Sequence, residues 1–323
     1  MTEPGGAPLP GAVARLLARC SFPEPGEPID CAVSGGADSL ALLVLAVAAG
    51  CRVTAWHVDH GLRPGSDAEA AVVADVAERH GAAFRSLRVQ VAAGPNLESR
   101  ARRARFAALP PGVCTGHTAD DQAETVLLAL LRGAGVDGLA GMDPWRHPLL
   151  GLRRADTVAV CRQLGIVPVE DPTNSDPRIR RNRVRHELIP LANAIADRDV
   201  VPVLARTAAI LRGDAELLAS VASTVDPTDA LALAAAPAAV ARRAVRAWLV
   251  AAAAPGEPPY PPSAAAVDRL LAVARGEATA CEVAGVGRIT RSGQRLRIEP
   301  AAATRPRATQ RGGSGVRPGD IPQ

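Results

Sequence analysis

The sequence predicts an α/β fold: a parallel twisted sheet with helices on both faces, followed by a smaller, mainly helical C-terminal domain. Three observations carry this expectation. From Ile29 to Arg132, short apolar runs alternate with longer helical segments, as right-handed strand–helix–strand crossovers require. Beyond residue 190 the chain turns Ala-rich and helical, over residues 191–254. Its 323 residues give room for two domains.

Taken in order, Ile29–Val33 reads as a strand, and Ser39–Ala49 as a helix stopped by Gly50. Arg52–Val58 is the second strand, and Asp67–His80 a helix stopped by Gly81. Ala83–Val89 is the third strand, and Leu97–Leu109 a helix ended by two prolines. Val113–Thr115 is the fourth strand, and Ala119–Arg132 a helix with Gly133 beyond it. A short helix over Arg153–Leu164 and a polar stretch over Glu170–Arg181 follow. A proline-dense break covers Pro255–Pro262, a helix covers Ala264–Arg275, and alternation over Cys281–Glu299 predicts short strands with a hairpin. The expected organisation is an N-terminal segment at 1–28, a catalytic domain at 29–190, a helical appended domain at 191–300 and a disordered tail at 301–323. The turns at 34–39, 59–66 and 116–120 follow strands, and ligands of open parallel sheets sit at strand carboxyl ends.

Composition narrows the chemistry. All 37 basic residues are Arg, which excludes a Schiff-base lysine and the lysine of a Walker A loop. Aromatics make up 2%, so the core must be built from Ala, Val and Leu. The net charge of +4 is compatible with a nucleic-acid partner and equally with an ordinary basic protein. Six cysteines occur without C-x-x-C spacing, so neither a metal nor a disulfide framework is implied. There is no signal-peptide pattern and no apolar run long enough for a membrane span; the expected location is the cytoplasm.

The most informative loop is Ser34-Gly35-Gly36-Ala37-Asp38-Ser39, between the first strand and its helix. Two glycines allow a sharp turn and close backbone approach. The helix N-terminus favours an anion, and both serines carry donor hydroxyls. Asp38 or Ser39 could serve merely as the helix N-cap. However, an aspartate in a phosphate loop also fits a metal ion or a proton to be taken, and the sequence does not separate these. The loop resembles the S-G-G-x-D-S loop of the N-type ATP pyrophosphatases, the PP-loop superfamily. That resemblance implies cleavage of ATP between its α and β phosphates, with AMP left on a substrate oxygen.

Further blocks resemble one branch, the tRNA(Ile)-lysidine synthetases. His57-Val58-Asp59-His60-Gly61-Leu62-Arg63 matches that family's H-V-D-H-G-L-R segment, read alone as a polar turn, with His57 not separable from His60. The arginine-rich run from Glu98 to Arg105 is a solvated helix face or a phosphate-binding one; it matches an E-x-x-A-R-x-x-R-Y-like element with Phe106 in place of Tyr. Gly116-His117-Thr118-Ala119-Asp120-Asp121-Gln122-Ala123-Glu124-Thr125, continuing to Arg132-Gly133-Ala134-Gly135, matches G-H-x-x-D-D-x-x-E-T…R-G-x-G. Thr118 and Asp121 also form a capping box. Asp121 and Glu124, three apart, share a helix face and could hold an ammonium group. His147-Pro148-Leu149-Leu150 is like the family's R-P-L-L run, with His147 replacing Arg. Glu170–Asp176 with Arg178–Arg185 matches E-D-x-[ST]-N-x-D…R-N-x-[IVL]-R. The likeness runs over roughly 29–191 and weakens beyond 200.

The resemblance implies an enzyme that joins L-lysine to C2 of the wobble cytidine of tRNA(Ile) with a CAU anticodon. It would use ATP with Mg²⁺, pass through an adenylated cytidine, and release AMP and pyrophosphate. It further implies ATP binding by the 34–39 loop with His57, His117 and Arg132. Asp38 would bind Mg²⁺ or accept a proton. Asp121 and Glu124 would position lysine, and Arg100, Arg103, Arg183 and Arg185 would contact RNA. Relatives imply a homodimer. The alternative is another tRNA-modifying member such as a thiolase, and the missing cysteine pairs speak against the cluster-using type. Trp56, Trp145 and Phe106 are the candidates for stacking on a flipped cytidine.

Overall fold

A computed structural model describes residues 11–59, 66–89, 97–169, 176–253 and 262–299. The side chains of 12, 66–68, 97–99 and 101–103 are outside that set. The chain divides into two compact units, Met1–Ala215 and Glu216–Gln323.

The first unit opens with helix α1 (Gly11–Leu17), which the sequence pattern did not announce. Strand β1 (Pro28–Ala32) and helix α2 (Ala37–Ala48) follow, then β2 (Arg52–Asp59), α3 (Ser66–Arg79), β3 (Ala83–Arg88), α4 (Leu97–Ala108) and β4 (Cys114–Thr115). These lie within two residues of the expected bounds. The sheet is wholly parallel, in the order β3-β2-β1-β4. The chain moves outward from β1 to β3 and then returns to β1's other side as β4. That reversal opens a crevice at the carboxyl ends of β1 and β4. The expected α/β class with a parallel sheet is therefore what the chain forms.

Helix α2 is buried continuously from Ser39 to Ala46. It packs on β1 and β2 and against α1, α3 and a later helix, so its sequence is apolar all round rather than on one stripe. Its core partners are Val, Leu, Ile, Ala and Cys, including Cys31, Val53, Ala55, Val73 and Leu149. Among the described residues no Phe, Tyr or Trp is buried, as an aromatic-poor sequence demands. The unit continues with α5 (Ala119–Leu131), α6 (Val136–Leu139), α7 (Arg154–Gln163) and α8 (Arg180–Arg183). A π-helical turn (Val184–Leu188) and α9 (Ile189–Ala196) lead to α10 (Val201–Ser223), within which the two units divide. A small second cluster, Ala119, Ala123, Val184, Ile189 and Val201, ties α5 to the π turn.

In the second unit, α11 (Ala230–Ala235), α12 (Ala238–Ala252) and α13 (Ala264–Arg275) precede a three-stranded antiparallel sheet of β5 (Ala280–Val283), β6 (Gly287–Ser292) and β7 (Arg295–Glu299). The hairpin expectation thus extends to a full sheet, because Gly285 and Gly293, both at positive φ, close two successive turns. Its core joins Val245, Leu249, Leu270, Val273 and Ile289. No helix among the described residues is long and apolar enough to cross a membrane. The tail at 301–323 lies outside the described residues.

Candidate active site

The loop after β1 forms a compact turn. Ser34 N donates to Ser39 Oγ at 3.1 Å, and Ser39 Oγ donates to the Gly36 carbonyl at 2.9 Å. The two serine hydroxyls lie 3.3 Å apart. Gly35 takes φ +89°, a left-handed conformation suited to glycine. Gly36 is the N-cap of α2 and supplies no side-chain cap. Neither Asp38 nor Ser39 is the N-cap, so the capping explanation of Asp38 falls away. The helix N-terminus, with its exposed partial positive charge, faces the crevice.

The loop after β4 presses directly on this turn. A Cβ placed on Gly116 would sit 2.4 Å from the Asp38 carbonyl oxygen and 2.9 Å from Ser39 N. Only glycine permits that approach, which brings His117 and Thr118 beside the phosphate loop. Thr118 caps α5: its N–H and hydroxyl donate to Asp121 Oδ2 at 2.9 and 3.0 Å. The capping box read in the sequence is present. It uses one oxygen of Asp121 and leaves Oδ1 for other partners.

Those partners are arginines, and they join the carboxylates into one network. Arg154, at the start of α7, donates Nε to Asp38 at 3.2 Å and Nη2 to Asp121 Oδ1 at 2.9 Å. Its Nη1 lies 3.7 Å from Glu124. Arg181 Nε and Arg185 Nε each reach a Glu124 oxygen at 2.6 Å. Arg181 and Arg185 also approach Asp121 Oδ1, at 3.4 and 3.6 Å. Glu124 is 0% exposed; a carboxylate that deep persists only with such compensation. Three carboxylates thus face three guanidiniums. Thr157 donates to Asp38 as well. Asp120 stands apart, gripped by Nε and Nη2 of Arg153 and by the Arg154 N–H.

The two aspartates are tuned in opposite directions. Burial pushes the Asp38 carboxyl above its usual 3.8, against the opposing pull of Thr157 and Arg154, and Asp121 adds to the rise. Burial also works against the charge on Asp121, but Arg154, His117, the Thr118 N–H and Arg181 together hold its carboxyl below the usual value.

Other expected residues are placed as follows. His57 is buried, with Nδ1 2.9 Å from the Val33 carbonyl. A carbonyl only accepts, so Nδ1 carries the hydrogen, and the buried Nε2 has no hydrogen-bond partner among the described atoms. Arg132 is exposed at the C-cap of α5, about 20 Å along that helix from Thr118 at ~1.5 Å per residue; the fold does not bring it to the loop. Arg183 pairs with Glu187 on the surface at 2.9 Å. Arg185 lies on Glu124 rather than in solvent. Arg100 sits on α4, half-buried, while the Arg103 side chain and residues 60–65 and 170–175 lie outside the described set. Of the aromatic candidates, Trp145 is 74% exposed. Trp56 donates Nε1 to Asp30 at 2.7 Å, and Phe106 is half-buried under Arg105.

Sequence reading missed Arg154, Thr157 and Arg181. One signal was available: Arg153 and Arg154 open a helix, where cations oppose the dipole, so they need carboxylate partners from elsewhere.

The model of the PP-loop domain family matches residues 12–192. The chain is 48% identical over 244 residues to a tRNA(Ile)-lysidine synthase of Rhodococcus erythropolis, covering 70% of this chain and 75% of that protein. It is 44% identical over 273 residues to the tRNA(Ile)-lysidine synthase of Nocardia farcinica, covering 79% and 85%. Among solved structures, a U34-tRNA thiolase from Methanococcus maripaludis, with its 4Fe-4S cluster, aligns at a TM-score of 0.46 and 14% identity over 64% of this chain and 78% of that one.

Proposed function

The chain belongs to the PP-loop tRNA(Ile)-lysidine synthase family, and on that premise we propose how its residues make lysidine on tRNA(Ile). The observation that carries the reading is the single network of Asp38, Asp121 and Glu124, bridged by Arg154, at the mouth of the phosphate loop.

ATP binds with its phosphates on the Ser34–Ser39 turn and the α2 N-terminus. The wobble cytidine O2 attacks the α-phosphate, pyrophosphate leaves, and AMP rests on the base. The ε-amine of L-lysine then attacks C2 and expels AMP. Charge builds on phosphate oxygens in the first step, and preorganised N–H groups and guanidiniums stabilise it. Arg154 is suited to that task because it already spans the loop and α5. As phosphate draws Arg154 from Asp38, the carboxylates lose a cation. The lysine ammonium group takes that place on Asp121 and Glu124. The second step needs a neutral amine, and Asp38, with its raised proton affinity, is the acceptor within the network.

Mg²⁺ is part of the same reading. It commonly binds through one or two carboxylates plus substrate phosphates, and Asp38, on the first turn of α2 beside the loop, fits that mode in the first step, while its proton-accepting role belongs to the second. Bound there, it would neutralise phosphate charge. RNA contacts are assigned to Arg100, Arg103 and Arg183; Arg185 joins them only if it leaves Glu124. The second unit, which starts at Glu216 rather than at residue 191, is the appended tRNA-contacting domain, the active form is a homodimer, and the reaction takes place in the cytoplasm, where ATP and tRNA meet.

The direct test incubates the protein with ATP, labelled lysine and total tRNA. Lysine-dependent label on RNA with matching AMP release is expected. AMP release without lysine incorporation would overturn the assignment.

A further inference from the structure

Thr115, His117 and His147 form a closed triangle beside the phosphate loop, and His147 was no part of the expected site. Thr115 Oγ bonds to Nδ1 of His117 and, at 2.7 Å, to Nδ1 of His147. The two Nδ1 atoms are 3.2 Å apart, with the rings edge to face at 4.8 Å between centroids. The arrangement is firmly held. Thr115 N donates to the Arg146 carbonyl at 2.9 Å, which pins the 145–147 turn against β4. Upstream, Gln122 bonds Met142 N at 2.8 Å and Arg212 bonds the Ala140 carbonyl at 2.5 Å.

A threonine hydroxyl has one hydrogen. With both imidazoles on its oxygen, one ring donates N–H to Oγ and the other accepts O–H. Two N–H groups facing each other across 3.2 Å would repel. The triangle is therefore satisfied by one Nδ1 proton shared between two rings, and it holds at most one imidazolium. Charged neighbours decide which ring carries it. Asp121 of α5 acts on His117 and favours its cationic form. Arg154 of α7 and Arg181 of α8 pair with that same carboxylate. Asp38 of α2 abuts Gly116 through its backbone. On the His147 side, Arg146 and Asp143 belong to the same turn.

We propose that His147 is a positioning residue for the reaction: through Thr115 it accepts a hydrogen bond, and so keeps His117 as the Nδ1–H, proton-carrying partner at the phosphate loop. An arginine at this position would act differently. A guanidinium can only donate. It would donate to Thr115 Oγ, turn the threonine hydrogen toward His117 Nδ1 and fix His117 as a neutral acceptor. His147 therefore puts a titratable group where an arginine would put a fixed charge. The functional part rests on His117 meeting the nucleotide; the proton sharing does not.

The test uses full-length protein with ¹⁵N-labelled histidine. NMR titration of His117 is run in the unaltered protein, in His147→Arg and in His147→Gln, whose amide oxygen can still accept from Thr115. With His147→Arg, His117 should lose its Nδ1 hydrogen and bind a proton at least about tenfold more weakly, one pKa unit. His147→Gln should titrate like the unaltered protein. A His117 titration unmoved by His147→Arg overturns the proposal, as does an equal shift in both variants. In parallel, the pH profile of pyrophosphate release should have its alkaline limb moved to lower pH by His147→Arg alone. If the NMR shift appears without that movement, the sharing stands and the nucleotide contact of His117 fails.

Discussion

At the scale of single residues, Asp38 and Glu124 are legible in the sequence as carboxylates without a packing purpose. What each does depends on neighbours that the sequence does not reveal. Asp38 is held above the ordinary aspartate range chiefly by burial. Its protonated form can neither bind a cation nor accept a proton, so pyrophosphate release should rise as pH climbs through a value above 3.8. Asp38→Asn should remove that acidic limb and lower the rate on the order of 10²-fold or more. Thermal melting checks that the fold survives, and an intact limb would contradict the assignment. For stability the sign is the reverse. A raised folded pKa adds stability below the unfolded value, and that share is lost as pH rises through the folded one. Glu124 is fully buried under two arginines that contact it at 2.6 Å. Glu124→Gln keeps its shape and removes its charge. Steady-state kinetics should show the KM for lysine raised about 10- to 100-fold, the worth of a charged hydrogen bond, with the KM for ATP changed far less. Equal effects on both would make Glu124 a structural anchor.

Among the elements, the decisive contact is between the loops that follow β1 and β4. Gly116 looks like one glycine among many in the sequence, and only the 2.4 Å approach to the Asp38 carbonyl shows its purpose. Gly116→Ala should cost about 1–3 kcal/mol by overpacking, read as a lowered melting temperature. By moving α5 off the phosphate loop it should also slow adenylation on the order of 10²-fold. A variant that melts lower yet keeps its full rate would show that this contact is only structural. The helices of the first four crossovers were readable because apolar periodicity and Gly or Pro stops agree. The α8 segment and its π turn were not, since their polar, arginine-rich sequence has no period; they are held by Glu124 and Asp121 on Arg181 and Arg185 and by Val184 packed against α5.

For the molecule as a whole, the apolar clusters of both units lie between Val13 and Leu296. Removing residues 301–323 should therefore leave the melting temperature and the adenylation rate unchanged, and a loss of either would give the tail a function. The sequence by itself determined the parallel α/β class, the phosphate loop, the capping box on Asp121 and the likeness to a lysidine-forming family. All of these are written in local order: period, glycine position and short spacing. Only the tertiary structure decided that Asp38 is no helix cap. It also joined Asp38, Asp121 and Glu124 through Arg154, paired Arg185 with Glu124, and set His147 against His117. The reason is physical. Residues 38 and 121 come together because the strand order reverses at β1 and β4, Arg154 and Arg185 reach them from later helices, and these charges are compensated there by one another, which no stretch of sequence carries alone.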